Sequence, residues 1–387
     1  MSSRPDQRLA RKYRFDDGDM DLFFMAALSW GPGGGLDIGQ AFHIASTIVD
    51  GDPESWVKSF SEYAALQNAQ ADAWKARGWK RAAGEARLKA FASYRSAWQF
   101  AQPGSQFVGL VAKQREMFKT AMQELEIPAT FFDAPYAGKT LPGVFFRNAK
   151  ADAPVVLVIG GADTSYDDLF LGVGRNLLDR GFSVAIADLP GQGKQQAEGM
   201  YWETEAEKPI AAVIDVLAGR FGALPGKIAL MGLSLGGYFV TRAAGYEKRL
   251  GAVIATTPFP RPGELFAKTV EAAKAAGASP PATAAARRSR EISLWKAGVR
   301  TPAEFLARTE DMIADPSRVT VPFLSIVGTG DSPIFVRQAG EWHASIPSAR
   351  KTLVELDAST GADGHCQVNN RLRLAQEASG WLEEELK

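Results

Sequence analysis

Cysteine is all but absent from this chain: Cys366 stands alone among 387 residues. That excludes an intrachain disulfide and any metal site built from several thiolates, and it suits a reducing compartment. Histidine is nearly as scarce, with three residues, so any imidazole chemistry has few places to reside. An excess of one charge is missing too. Forty-four Lys and Arg balance 44 Asp and Glu, leaving no broad field to draw in nucleic acid or an anionic membrane. Long apolar runs are lacking: Leu22 to Leu28 is too short for a membrane span, and no signal-cleavage pattern follows it. The expectation is a cytoplasmic protein with neither nucleic acid nor membrane as partner. The clustered Arg287, Arg288 and Arg290 read as the solvated face of a helix.

What is present is ordinary in composition, with 46% apolar and 23% charged residues, and long enough for a full core plus a smaller module. The first third reads as helical. Asp52-Pro53-Glu54 is a helix start, with Asp52 able to cap free amides and Pro53 suited to the first turn. Trp56, Val57, Phe60, Tyr63, Ala64 and Leu66 follow at helical spacing, and Gly78 is a natural stop. Further helices are predicted over Leu36–Val49, Trp79–Phe100 and Ser105–Leu125, four in all.

After Pro128 the pattern changes. Thr130–Asp133 and Leu141–Phe146 look like paired strands around a turn at Tyr136-Ala137-Gly138. Short, wholly apolar runs then alternate with helical stretches: Val155–Ile159, Ser183–Ala187, Lys227–Met231, Ala252–Ala255, Pro322–Val327 and Thr352–Leu356. Strands without polar alternation suit a parallel sheet buried on both faces, joined by crossover helices. The layout is α/β. Residues 1–128 are expected to form a helical N-terminal cap, and 129–387 a core with a helical insertion at about 259–320 that shares in the cap.

The strongest local signal is Gly232-Leu233-Ser234-Leu235-Gly236, with a strand running in and an apolar helix running out. A strand–tight turn–helix of this kind lifts a serine hydroxyl to the carboxyl edge of a sheet. The hydroxyl needs a base. His43 falls in an N-terminal helix and His343 in the helix after Asp331, whereas His365 sits in the loop Gly361-Ala362-Asp363-Gly364-His365 beyond the last strand. His365 is therefore the predicted base. Asp331, at the end of Phe323–Val327 and the following Gly328-Thr329-Gly330, is the predicted carboxylate that orients it. Asp363, two residues from the histidine, reads as a turn former.

An oxyanion needs donors. Leu235 supplies one amide, and the loop Gly160-Gly161-Ala162-Asp163 after strand Val155–Ile159 supplies another, from Gly161 or Ala162. Asp163 reads as a loop tie or a helix cap near Tyr166 rather than an acid. Gly172-x-Gly174 lacks the rest of a dinucleotide fingerprint, and Cys366 reads as a buried, inert thiol. No His/Asp/Glu spacing suggests a metal, so no cofactor is expected. The substrate is expected to be a small molecule, and a homodimer stays open.

These residues carry a resemblance. Asp50-Gly51-Asp52-Pro53-Glu54-Ser55-Trp56, the Gly-Gly-Ala-Asp loop, Gly-Leu-Ser-Leu-Gly-Gly-Tyr and Gly364-His365-Cys366-Gln367 resemble those of capped α/β-hydrolases. Within that fold the chain looks like the group of 2,6-dihydroxypseudooxynicotine hydrolase and the fungal heptaketide-shortening hydrolase of the yellowish-green pigment pathway, over most of its length. The resemblance implies a mostly parallel sheet flanked by helices, a Ser-His-Asp triad acting through an acyl-enzyme, and hydrolysis of a C–C bond next to a ketone in an aromatic or polyketide-like substrate of secondary metabolism. It also implies an auxiliary acid at the cap–core junction, for which Glu264 is the nearest candidate. Two alternatives stay open: an esterase, thioesterase or acyltransferase with the same triad, and a non-catalytic binding protein of hydrolase shape.

Overall fold

A computed structural model describes residues 5, 7–150, 152–275 and 283–386. Five helices precede the first strand: α1 (Gly18–Ser29), α2 (Ile38–Ser46), α3 (Pro53–Ala76), α4 (Lys80–Trp98) and α5 (Ser105–Glu124). α3 begins as its sequence predicts, with the Asp52 carboxylate accepting from the Glu54 and Ser55 amides at 3.0 and 3.3 Å. α1 is the helix that the periodicity does not foresee. Met20, Leu22, Phe24, Met25 and Ala27 are all buried, so its apolar residues surround it instead of marking one face.

The hairpin β1 (Ala129–Tyr136) and β2 (Lys139–Phe146) turns through Ala137 and Gly138, both at positive φ. Six further strands complete the sheet: β3 (Val155–Ile159), β4 (Ser183–Ala187), β5 (Ile228–Leu233), β6 (Leu250–Thr256), β7 (Phe323–Gly328) and β8 (Lys351–Leu356). Their order is β1-β2-β4-β3-β5-β6-β7-β8. The two pairings of β2 are antiparallel and the rest parallel. β3, β4, β5 and β7 are buried at every position, which is why they read as unbroken apolar runs. Helices α6 (Arg175–Asp179), α7 (Glu207–Phe221), α8 (Leu235–Ala244), α9 (Pro262–Ala275), α10 (Ala284–Ala297), α11 (Pro302–Glu310), α12 (Pro333–Ser345) and α13 (Arg371–Glu385) follow in chain order. Gly172 and Gly174 lie in a π-helical turn, Phe170–Gly174, that runs into α6.

The N-terminal helices and one face of the sheet share one apolar cluster, from Phe24 and Trp56 through Phe118 to Val156 and Ile254. Helix α10 joins them from the insertion. Its Ala285 amide donates to the Gly51 carbonyl at 2.9 Å. Here the arginine cluster departs from its reading as a solvated face. Arg287 and Arg290 are exposed, but Arg288 is only 12% exposed and pairs with Glu54 at 2.9 Å while donating to the Phe100 carbonyl. It ties the insertion to α3 and the end of α4. No described helix is long and apolar enough to cross a membrane.

Candidate active site

β5 runs directly into Ser234, which takes φ 58° and ψ −122° before α8 begins at Leu235. A non-glycine residue at positive φ is strained, and such strain persists where the surroundings over-determine it. The flanking glycines show how. A Cβ on Gly232 would run into the Gly236 carbonyl, and one on Gly236 would lie 2.6 Å from the Gly160 carbonyl oxygen. The Ser234 amide is held by the Thr256 carbonyl at 2.9 Å and by the Cys366 sulfur at 3.0 Å. Cys366 is buried, and its thiol donates to the same Thr256 carbonyl. The side chain read as inert thus ties the serine turn to the histidine loop.

Parallel strands bring their carboxyl ends to one edge, and three chain positions meet there. His365 Nε2 lies 2.9 Å from Ser234 Oγ, and His365 Nδ1 lies 2.7 Å from Asp331 Oδ2. With Asp331 ionised and the imidazole neutral, the form that acts as a base, Nδ1–H donates to the carboxylate and the serine hydroxyl donates to Nε2. Burial works against a charged imidazole, but the Asp331 charge and hydrogen bond outweigh it and push His365 up to about 10. The ring packs on Phe335, 4.8 Å between centroids. The His365 amide donates to the Arg8 carbonyl at 2.9 Å, so the N-terminal segment straps this loop down. Asp363 is occupied elsewhere, accepting from Asn369 at 2.8 Å. His43 is exposed on α2 beside Tyr63, and His343 lies on α12, where burial lowers its pKa.

The loop after β3 turns its carbonyls toward donors. Gln192 Nε2 reaches the Gly160 and Gly161 oxygens at 2.5 and 3.0 Å, and Lys296 Nζ reaches the Ala162 oxygen at 2.7 Å. Gly161 abuts the serine turn: a Cβ there would come within 2.6 Å of Ser234 Cβ and 3.1 Å of the Leu235 nitrogen. Gly161 lines the cavity in front of Ser234, whereas Ala162 does not. Lys296 is fully buried on α10, 3.7 Å from Asp163, and burial lowers its pKa.

That cavity measures about 90 Å³ and is bounded by Ser234, His365, Phe23, Trp30 and a group of charged residues: Arg8, Arg95, Asp163, Asp168 and Arg371. Glu264 is not in it. The glutamate lines a separate surface groove of about 590 Å³, where it pairs with Arg337 and accepts from Gln338 at 3.2 Å. The reading of Glu264 as an auxiliary acid is therefore corrected: Arg337 on α12 and Arg261 just before α9 claim its carboxylate. Asp163 does line the cavity, and the helical stretch expected near Tyr166 begins at Asp168. Among the described residues no group of three or more His, Cys, Asp or Glu is placed to hold a metal ion.

Arg95 had no signal in the sequence, since a lone arginine in a helix usually faces water. It is instead buried on α4, bonded to Asp168 and to the Asp163 carbonyl, and stacked over Trp98 at 3.9 Å. The clue lies in its neighbours: every residue from Ala90 to Trp98 is small, apolar or paired and buried. Burial pushes the Asp168 carboxyl up to about 6, against the pull of Arg95. Arg95→Met should cost about 3–5 kcal/mol, because it strands a buried carboxylate. Without Arg95 the Asp168 pKa rises further, so the loss should be largest above about pH 7 and shrink below about pH 6 as the acid takes a proton. Urea unfolding at both ends of that range checks it, and an equal loss at each would contradict the pairing.

Comparison with known proteins gives a consistent frame. Residues 155–381 match the alpha/beta hydrolase family. The alpha/beta hydrolase xenA of Xenoacremonium sinensis is 28% identical over 240 residues, 58% of this chain and 56% of that protein. The 20-hydroxy-prefusarin hydrolase FUS2 of Gibberella moniliformis is 30% identical over 246 residues, 60% of this chain and 58% of that one. These matches span less than two thirds of the relatives' length. Among solved structures, the 2,6-dihydroxy-pseudo-oxynicotine hydrolase superposes with a TM-score of 0.74 at 22% identity, over 93% of this chain and 95% of that chain. AbyA5 follows at 0.64 and 16%, over 95% and 99%. At these identities the likeness is one of fold.

Proposed function

The chain belongs to the alpha/beta hydrolase family and is a hydrolase; on that premise we propose that Ser234 is its nucleophile, His365 its general base and Asp331 the carboxylate that orients the base. The observation that carries this reading is the continuous chain from Asp331 Oδ2 through the imidazole to Ser234 Oγ, at 2.7 and 2.9 Å. A hydroxyl so placed loses its proton to Nε2 as it attacks, while Asp331 stabilises the imidazolium that forms.

The attack adds Ser234 Oγ to a carbonyl carbon. The carbonyl oxygen takes the negative charge and is met by the amides of Leu235 and Gly161. We favour Gly161 over Ala162 because Gly161 lines the cavity. Collapse of the tetrahedral adduct breaks the bond to the leaving group, which takes the proton from His365. Water, deprotonated by His365, then attacks the acyl-enzyme and returns Ser234. The bond we assign is a C–C bond next to a ketone, where the leaving carbon departs as an enol. Support for it comes from the group this chain resembles. The position of Glu264 outside the cavity favours the second reading, an ester or thioester, for which no added acid is needed. Helices α1–α5, with α10, would serve as the cap.

Mass analysis of the products from a β-diketone, set against turnover of a p-nitrophenyl ester, tests the bond. Ester turnover with an intact diketone would decide for the second reading. The raised His365 pKa predicts a further result. The base must be neutral to act, so kcat/KM should rise with pH along a limb displaced above 6.5, the ordinary imidazole value. A limb at or below that value would mean that Asp331 does not govern the titration.

A further inference from the structure

We propose that Arg371 forms an anion subsite beside Ser234, and that the substrate carries a carboxylate or an equivalent anionic oxygen on a short arm from the carbonyl under attack. This deepens the serine-hydrolase reading and rests on it. Three arginines line the cavity, and two of them are committed. Arg8 pairs with Asp19 at 2.5 Å, and Arg95 pairs with Asp168. Arg371 differs. Among the described residues its hydrogen bond is to the Cys366 carbonyl, no carboxylate lies within ion-pair distance of it, and its Nε is buried without a partner. Burial lowers its pKa, with Asp168 countering from a distance.

A guanidinium is a rigid fork of donors that matches a carboxylate two bonds at a time. Holding one in a cavity wall without an acid costs free energy that a bound anion would offset. The Arg371 guanidinium donates to the carbonyl of Cys366, the residue after His365, and lines the same cavity as Ser234, so an anion on Arg371 shares that cavity with the reacting carbonyl. At about 90 Å³ the space holds on the order of half a dozen waters. That admits a short polar arm. The cavity's two carboxylates, on Asp163 and Asp168, are answered by Lys296 and Arg95, so the charge left unmatched in the wall is positive.

Two fluorophosphonates separate the possibilities, identical except that a three-carbon arm ends in a carboxylate in one and in the isosteric carboxamide in the other. Both react by displacement of fluoride from phosphorus by the serine oxygen. Wild-type protein should be labelled at Ser234 on the order of 10-fold faster by the carboxylate. Arg371→Gln should abolish that ratio, and Arg371→Lys, which keeps the charge but not the fork, should keep only part of it. A purely structural arginine would change both rates together and leave the ratio alone. Equal labelling of wild-type protein by the two reagents overturns the subsite while the serine reading stands, and this arm needs no variant to fold. Labelling by neither reagent sinks the serine reading itself.

Discussion

Ser234→Ala should lower kcat on the order of 10³-fold or more, with little change in stability. The hydroxyl is the one atom removed, and its structural partner in the protein is the His365 ring. The amide that shapes the turn still meets the Thr256 carbonyl and the Cys366 sulfur, and alanine fills no new space. What disappears is the oxygen that would form the acyl-enzyme. Any residual rate then reflects the oxyanion donors and substrate binding alone. Fluorophosphonate labelling should vanish with turnover. Labelling at wild-type rates in Ser234→Ala would place the nucleophile elsewhere in the chain.

His365→Ala should cost a comparable factor, again on the order of 10³-fold or more, and the double variant should be little worse than either single one. Groups that act as one unit lose their joint contribution when any member is removed. His365 is placed to take the Ser234 proton and return it to the leaving group, so its loss idles the serine even though the hydroxyl remains. The change also opens space against Phe335 and leaves the buried Asp331 carboxylate without its imidazole partner. Stability must therefore be measured beside rate: thermal unfolding separates the two, and single-turnover kinetics on folded protein gives the chemical step. Turnover close to wild type in His365→Ala would refute its assignment as base. Multiplicative losses in the double variant would mean that the two residues act independently.

The two sets of predictions differ in where their grounds lay. The strands were legible because β3, β4, β5 and β7 are buried on both faces and so are apolar throughout. The serine turn was legible because its needs are local: a strand, two glycines without room for a Cβ, and a helix within a dozen residues. The histidine was legible through scarcity, since two of three candidates fell inside helices. Helix α1 was not, because burial on most sides erases the periodicity that marks a helix with one wet face. Glu264 was misread for a related reason. Its position in the chain fitted a junction, but Arg337 on α12, together with Arg261 just ahead of α9, decided where its carboxylate points.

Charged side chains show the boundary most clearly. Arg95 and Asp168 are 73 residues apart, and nothing near either announces the other. An arginine reads alike whether it is solvated, paired in a core or left open to a cavity. The residue sequence by itself determined where most strands fall along the chain, the serine turn, and which histidine and aspartate could follow it. Tertiary structure alone decided that Glu264 lies outside the cavity, that Gly161 lines it while Ala162 does not, and that Arg371 has no carboxylate within ion-pair distance among the described residues. The physical reason is range. Backbone geometry and burial patterns are written in contiguous residues, whereas the partner of a charge is set by where distant segments come to rest.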